Sequence, residues 1–286
     1  MKIAVLGLGL MGTAVALRLA EQGFEIVGWN RSPQKGQDLA QQGVATVGSA
    51  REAIAGAQIA VLMLADASAI RETLFAAGTE GSIRGRTILQ MGTIAPAQSR
   101  DLAGRVEAAG GEYLESPVLG SLPEAKGGRL ILMAGGERTL FDRCLPVLIA
   151  LGKDPRLIGG VGQGAALKLA MNQLIAGLTG SFSLSLGLVR AENIEVKQFM
   201  ELLRGSALYA PTFDKKLEKY LSHDYGKANF PLKHLLKDVR LFRDVAESLG
   251  MDTALPAAIE AACVRALDQG FGNQDYSALY EAFTPE

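Results

Sequence analysis

The chain has 286 residues, more than one ordinary domain core needs and suited to two domains of roughly 100 to 200 residues each. Its 29 Lys and Arg residues nearly balance 30 Asp and Glu, so no global field recruits nucleic acid or an anionic membrane surface, and any anion must be held locally. With 48% hydrophobic and 21% charged residues, the composition excludes a disordered chain.

A strand-like run at 2–6, its apolar part at 3–6, follows Met1 at once, leaving no room for a charged region and an apolar signal segment, and so a cytoplasmic location is expected. Further apolar runs rich in Val, Ile and Leu lie at 25–29, 59–64, 87–91, 113–118 and 130–134. They alternate with amphipathic segments, of which 10–22 reads as a helix ended by Gly23 and 97–109 as one ended by Gly110-Gly111. Repeated strand and helix units of this kind predict a mostly parallel sheet covered by helices.

After Gly159, Gly160 and Gly162 the alternation stops, and helical patterns follow at 169–189, 196–204, 212–220, 232–249 and 256–267. The expected boundary is near residue 160, with a long central helix starting at the junction. The run 169–189 carries no charge and is long enough to span a bilayer. Its Asn172, Gln173, Thr179, Ser181, Ser183 and Ser185, with Gly177, Gly180 and Gly187, instead predict a buried central helix. An uncharged helix is too wide an apolar surface for a small helical domain to cover alone, so a homodimer or homotetramer is expected. Cys144 and Cys263 stand far apart without Cys-x-x-Cys spacing, which points to neither zinc nor a disulfide framework.

The motif Gly7-Leu8-Gly9-Leu10-Met11-Gly12 follows the first strand and opens the first helix, where a dinucleotide pyrophosphate needs it. Gly7 allows the tight turn, Gly9 lets the backbone approach the pyrophosphate, and Gly12 lets helix and strand pack closely. The fold class is thus α/β, with a Rossmann-type doubly wound sheet over 1–160 and an all-α substrate and dimerisation domain over 161–286. At the end of the second strand the chain reads Trp29-Asn30-Arg31-Ser32, with no acidic residue to bind a ribose 2′-hydroxyl. Arg31 offers a cation for a 2′-phosphate, while Asn30 and Ser32 add neutral hydrogen bonds, so NADP (NADPH) is favoured over NAD. Met63 and Leu64, closing the run at 59–64, are assigned to the cofactor as well.

Further along, the chain reads GTIAP at 92–96, ESPVLGS at 115–121, GQGAALKLAMNQ at 162–173 and FPLKHLLKD at 230–238. With the GLGLMG and WNRS blocks, these resemble the β-hydroxyacid dehydrogenases over the whole length, and most closely their glyoxylate and succinic semialdehyde reductase branch. The resemblance implies that Lys168 is the catalytic lysine. The local chemistry agrees, since Lys168 and Asn172 are four apart on one helix face. In carbonyl reduction an ammonium donates a proton to the developing alkoxide and offsets its charge; partial burial would lower its pKa and allow the reverse role. The resemblance also implies that Thr93 contacts nicotinamide, that Lys237 contacts the cofactor, and that Phe230 and Asp238 complete the substrate pocket.

The chain departs from the family where a serine-led turn receives the substrate carboxylate, because here the turn is Leu119-Gly120-Ser121. Backbone donors at Gly120 and Ser121 are expected to serve, and Leu119 would favour a longer or more apolar acid. Gly92 replaces the usual Ser before Thr93, and Leu184 stands where a Glu is frequent. Three functions are consistent with these features: an NADPH-dependent reductase of small aldehyde acids, a 3-hydroxyisobutyrate or tartronate semialdehyde type dehydrogenase, and a non-catalytic NADP-binding sensor or scaffold. Proteins of similar architecture also reduce imines, but typically without the lysine, so Lys168 argues against that reaction. His223 and His234 have no partner spacing for a metal or a triad.

Overall fold

The computed structural model describes residues 1–284. Two compact units divide the chain, Met1–Leu169 and the residues from Ala170 onward.

In the first unit nine strands form one sheet, β1 (Lys2–Leu6), β2 (Glu25–Trp29), β3 (Ala45–Thr46), β4 (Ile59–Leu62), β5 (Thr87–Gln90), β6 (Glu112–Glu115), β7 (Val118–Leu119), β8 (Ile131–Gly135) and β9 (Arg156–Gly159). The order is β3-β2-β1-β4-β5-β6-β8-β7, with β9 beside β8. The six strands from β3 to β6 are parallel, and β8 turns antiparallel to β6. Strand order reverses between β1 and β4, the switch point outside whose carboxyl ends such sheets bind ligands.

Side chains alternate across each strand, so every strand serves two cores. Ile3 and Val5 of β1, Val61 of β4 and Leu114 of β6 join one apolar cluster; Ala4, Leu6, Leu62 and Tyr113 join the other. The first is covered by α1 (Leu10–Glu21) with Leu39 of α2 (Pro33–Ala40), and the second by α3 (Ala50–Ala55), α4 (Ala67–Leu74) and α5 (Pro96–Ala108). Two more helices, α6 (Leu122–Lys126) and α7 (Arg138–Leu151), pack on the face of α1.

The run at 113–118, expected as one strand, is two. Pro117 has no N–H to donate and biases Ser116 toward extended backbone, so the ladder breaks at Ser116-Pro117 and β7 pairs with β8 instead. Strands β3 and β9 were not anticipated, the first being two residues long and the second lying in Arg156–Gly159 with an alternating, half-exposed pattern.

The second unit is helical: α8 (Gln163–Ala191) runs into it, followed by α9 (Val196–Arg204), α10 (Pro211–Ser222), α11 (Leu232–Ser248), α12 (Ala254–Asp268) and α13 (Tyr280–Phe283). One core gathers Ala176 with Leu235 and Val239 of α11 and Ile259 and Cys263 of α12; the other stacks Phe182 on Phe213 at 4.5 Å. A buried ion pair between Lys216 and Asp275 at 2.7 Å fastens α10 to the Tyr276–Leu279 turn. Among the described residues one helix, α8, is long and apolar enough to cross a membrane. Its Ala176, Phe182 and Leu186 are core residues, whereas Leu174, Leu184 and Leu188 are more than half exposed.

The division between the compact units falls inside α8, after Leu169. The physical reason is that the first turns of α8 are hydrogen-bonded to the end of β6, as described below, and so belong with the sheet.

Candidate active site

The loop after β1 is shaped by its own backbone. Gly7 has φ +98°, and a Cβ there would lie 2.5 Å from the Met63 carbonyl oxygen; one on Gly12 would lie 1.8 Å from that of Gly7. Both glycines are therefore required by packing. Gly9 is different: a Cβ there meets nothing within 4 Å, and its backbone is extended with φ −72°. The protein makes no demand for glycine at this position, but a ligand lying on the backbone would. Gly9 caps α1 without a side chain, so the amides of the first turn offer an anion site backed by the helix dipole. The cradle thus fits a dinucleotide pyrophosphate.

Asn30 is hydrogen-bonded within the protein. Its Oδ1 accepts from the Leu8 N–H at 2.9 Å and its Nδ2 donates to the Ser32 carbonyl at 3.2 Å, which ties the glycine loop to the end of β2. Ser32 starts α2 at the surface. Arg31 projects into solvent, 84% exposed, with its guanidinium 3.6 Å from Glu72 of α4. Met63 and Leu64 lie beyond the end of β4 and line the turn, Met63 packing over Gly7 and Gly12.

After β5, Gln90 is buried and folds back on the chain: its Oε1 accepts from the Gly92 N–H at 2.5 Å and its Nε2 donates to the Gly92 carbonyl at 2.9 Å. A Cβ on residue 92 would meet the Leu64 carbonyl oxygen at 2.7 Å and Gln90 Oε1 at 3.3 Å. That crowding accounts for Gly92 in place of Ser and fixes the turn that presents Thr93. Sequence reasoning missed Gln90, although a polar residue ending an otherwise apolar strand was the available signal.

In the Leu119-Gly120-Ser121 turn the Ser121 donors are already engaged. Gly120 needs its φ of +137°, but the Ser121 N–H and hydroxyl both donate to Glu124 Oε2, at 2.7 and 2.5 Å, at the start of α6. Ser121 is thereby occupied by a carboxylate of the protein, and the Gly120 backbone is left to carry the expected role.

At the end of β6, Glu115 is wholly buried. Its Oε1 accepts from the N–H groups of Gly162 and Ala165 at 2.9 and 3.0 Å, and its Oε2 accepts from Ser99 of α5. Ser99 is also 2.9 Å from the Tyr113 hydroxyl. Burial pushes the Glu115 carboxyl above the ordinary carboxylate value, while Ser99 and the α8 amides oppose that rise. Lys168, three residues beyond Ala165, is 7% exposed, and a lysine so deeply placed is uncommon without a function or a partner.

In the second unit the structure brings Asn172, Asp238 and Lys237 together. Asn172 Nδ2 donates to Asp238 Oδ2 at 2.6 Å, and Asp238 Oδ1 faces the Lys237 ammonium at 2.9 Å. Asp238 is 2% exposed. It therefore orients Asn172 and Lys237. Phe230 packs against Tyr276 and the ring of His234, with centroids 5.8 and 6.5 Å away. Burial, with Lys233 and Lys237 nearby, holds His234 below the ordinary imidazole value. Leu184, standing in place of Glu, is exposed on α8.

Two family models match the chain. Residues 2–162 match the NAD binding domain of 6-phosphogluconate dehydrogenase, and residues 162–283 match the NAD-binding domain of NADP-dependent 3-hydroxyisobutyrate dehydrogenase. Glyoxylate/succinic semialdehyde reductase 1 of Arabidopsis thaliana is 31% identical over 284 residues, covering 99% of this chain and 98% of that protein. The 2-hydroxy-3-oxopropionate reductase of Escherichia coli (strain K12) is 29% identical over 285 residues, covering 99% and 97%. Among solved structures, 3-hydroxyisobutyrate dehydrogenase from Salmonella typhimurium superposes with a TM-score of 0.87 at 25% identity, covering 99% of this chain and all of the other.

Proposed function

The chain belongs to the β-hydroxyacid dehydrogenase family, and from that premise we propose that it is an NADPH-dependent reductase of small aldehyde acids, such as glyoxylate or succinic semialdehyde, with Lys168 as proton donor. The observation that carries the reading is Lys168 itself, buried to 7% exposure one helical turn before Asn172.

Bound NADPH would supply a hydride to the carbonyl carbon. Residues 7–12 would hold its pyrophosphate, Arg31 its 2′-phosphate, and Thr93 and Lys237 would contact it elsewhere. The Lys168 ammonium gives its proton to the carbonyl oxygen as negative charge develops there, so the aldehyde gains one hydride and one proton and leaves as the alcohol. Asn172, held by Asp238, presents a fixed amide one turn away. The Gly120 backbone, beside the apolar Leu119, would receive the acid.

The test is a steady-state panel of glyoxylate, succinic semialdehyde, tartronate semialdehyde and methylmalonate semialdehyde with NADPH and NADH, together with K168A. Turnover should fall by about 100-fold or more in K168A, within the usual range for general acid catalysis, while NADPH binding persists. Wild-type turnover in K168A would rule out the mechanism, and tight NADPH binding without turnover of any acid would favour a sensor or scaffold. A preference for the last two aldehydes would move the assignment to a tartronate semialdehyde or 3-hydroxyisobutyrate type dehydrogenase.

The same reading includes a homo-oligomer, supported by exposed Leu174, Leu184 and Leu188 along α8, and a reducing cytoplasm, supported by Cys144 and Cys263 being buried thiols. Light scattering that gives a monomer mass would remove the first.

A further inference from the structure

Glu115 lies outside the chemistry assigned above, yet it is the most deeply built polar site in the first unit. Its carboxylate sits where β6 ends and α8 begins, accepting from the Gly162 and Ala165 amides and from Ser99. The space for it is made by glycines. A Cβ on Gly135 of β8 would lie 2.4 Å from Glu115 Oε1, and one on Gly164 would lie 3.1 Å from it and 2.3 Å from the Met133 carbonyl oxygen. Ser99, itself fully buried, fixes the second oxygen and is in turn tied to Tyr113.

The amides that donate to Glu115 belong to Gly162, just before α8, and to Ala165 in its first turn, where N–H groups have no partner within the helix. The same helix carries Lys168 one turn beyond Ala165. We propose that Glu115 is the positioning residue for Lys168: it pins the amino end of α8 to the sheet and thereby fixes where the lysine ammonium stands. A helix moves as a rigid element, so slack at Gly162 and Ala165 is transmitted to Lys168. Misplacement of a reacting group by about 1 Å can cost on the order of 100-fold in rate.

This inference rests on Lys168 being the proton donor, and the variants separate the two claims. E115Q keeps an Oε1 acceptor for both amides and a donor toward Ser99, so its kcat should stay within about threefold of wild type. E115L keeps the bulk without the acceptors, and its kcat should fall about 100-fold. Its dissociation constant for NADPH, read by cofactor fluorescence, should change by less than about threefold. The solvent deuterium isotope effect on kcat should rise in E115L, because proton transfer from a displaced lysine becomes the slow step; a purely structural role would not produce that signature. If E115L does not fold, E115D, one methylene short of the amides, carries the same comparison.

The proposal is overturned if folded E115L or E115D keeps wild-type kcat, if kcat and NADPH affinity fall together, or if E115Q is as impaired as E115L. Active K168A would instead sink the assignment of the acid, whatever the Glu115 variants do. Inactive K168A with fully active E115L would leave the acid in place and remove only its positioning residue.

Discussion

Asn172 is held by Asp238: the amide nitrogen donates to Oδ2 at 2.6 Å, with both residues buried. An amide in that setting cannot swing to suit a ligand; it presents one orientation. Removing the acceptor leaves a buried donor unmet, at about 1 to 3 kcal/mol, and each 1.4 kcal/mol is tenfold in an equilibrium. D238A should therefore lower kcat about 10- to 100-fold and reduce the thermal midpoint, whereas D238N, which retains an acceptor, should recover most of the midpoint. Steady-state kinetics and calorimetry on the two variants make the comparison.

Cofactor preference should reside in Arg31. A hydrogen bond to a charged group contributes about 1.5 to 3 kcal/mol, so R31A should raise the KM for NADPH about 10- to 100-fold and leave that for NADH nearly unchanged. Glu72 lies 3.6 Å from Arg31 on an exposed surface, where such pairs are worth little. It would compete with a 2′-phosphate bound at the same guanidinium, so E72Q should lower the NADPH KM by no more than about fivefold. A ratio of NADPH to NADH efficiency that is the same in R31A and wild type would contradict the assignment.

Glu124 occupies the donors of Ser121. Neutralising it removes an anion from the turn expected to receive the substrate acid, so E124Q should lower the KM for carboxylate-bearing aldehydes while leaving the NADPH KM alone. An unchanged KM across the panel would mean that the acid is recognised elsewhere.

The pH dependence of stability should carry a contribution from His234. Its folded pKa lies below the ordinary value, first through burial and then through Lys233 and Lys237. As pH falls through about 6.5 the unfolded chain takes up the proton before the folded one does. The neutral ring therefore stabilises the fold above that pH, and the stabilisation is lost on acidification toward the folded pKa. Denaturation midpoints compared at pH about 7.5 and about 5.5 should differ less in H234Q than in wild type.

The parallel sheet and the glycine loop were legible in the sequence because apolar periodicity and a short motif are local signals, and β1 with its 7–12 turn shows both. Lys168 and Asn172 could be paired because a helix converts a spacing of four into neighbourhood. What could not be read was pairing at a distance. Asn30 turning back to Leu8 and Glu115 reaching Gly162 and Ala165 depend on which side chain finds which donor across the fold, whereas Ser121 closing on Glu124 follows a local Ser-x-x-Glu spacing. Glu115 in particular ends β6 as an acid, which in a linear reading is indistinguishable from a residue at a wet sheet edge. Pro117, by contrast, was visible and was given too little weight: it divides the run at 113–118 into β6 and β7.

Gly9 separates two quantities that changes in a phosphate loop ordinarily mix. Since a Cβ there touches nothing in the protein, G9A should melt like wild type when no nucleotide is added. A ligand that binds only the folded state raises apparent stability by about 2.7 kcal/mol at 100 times its dissociation constant, and it is this increment that the extra methyl should erase. The absent side chain at Gly9 thus has a worth that becomes measurable only when nucleotide is added.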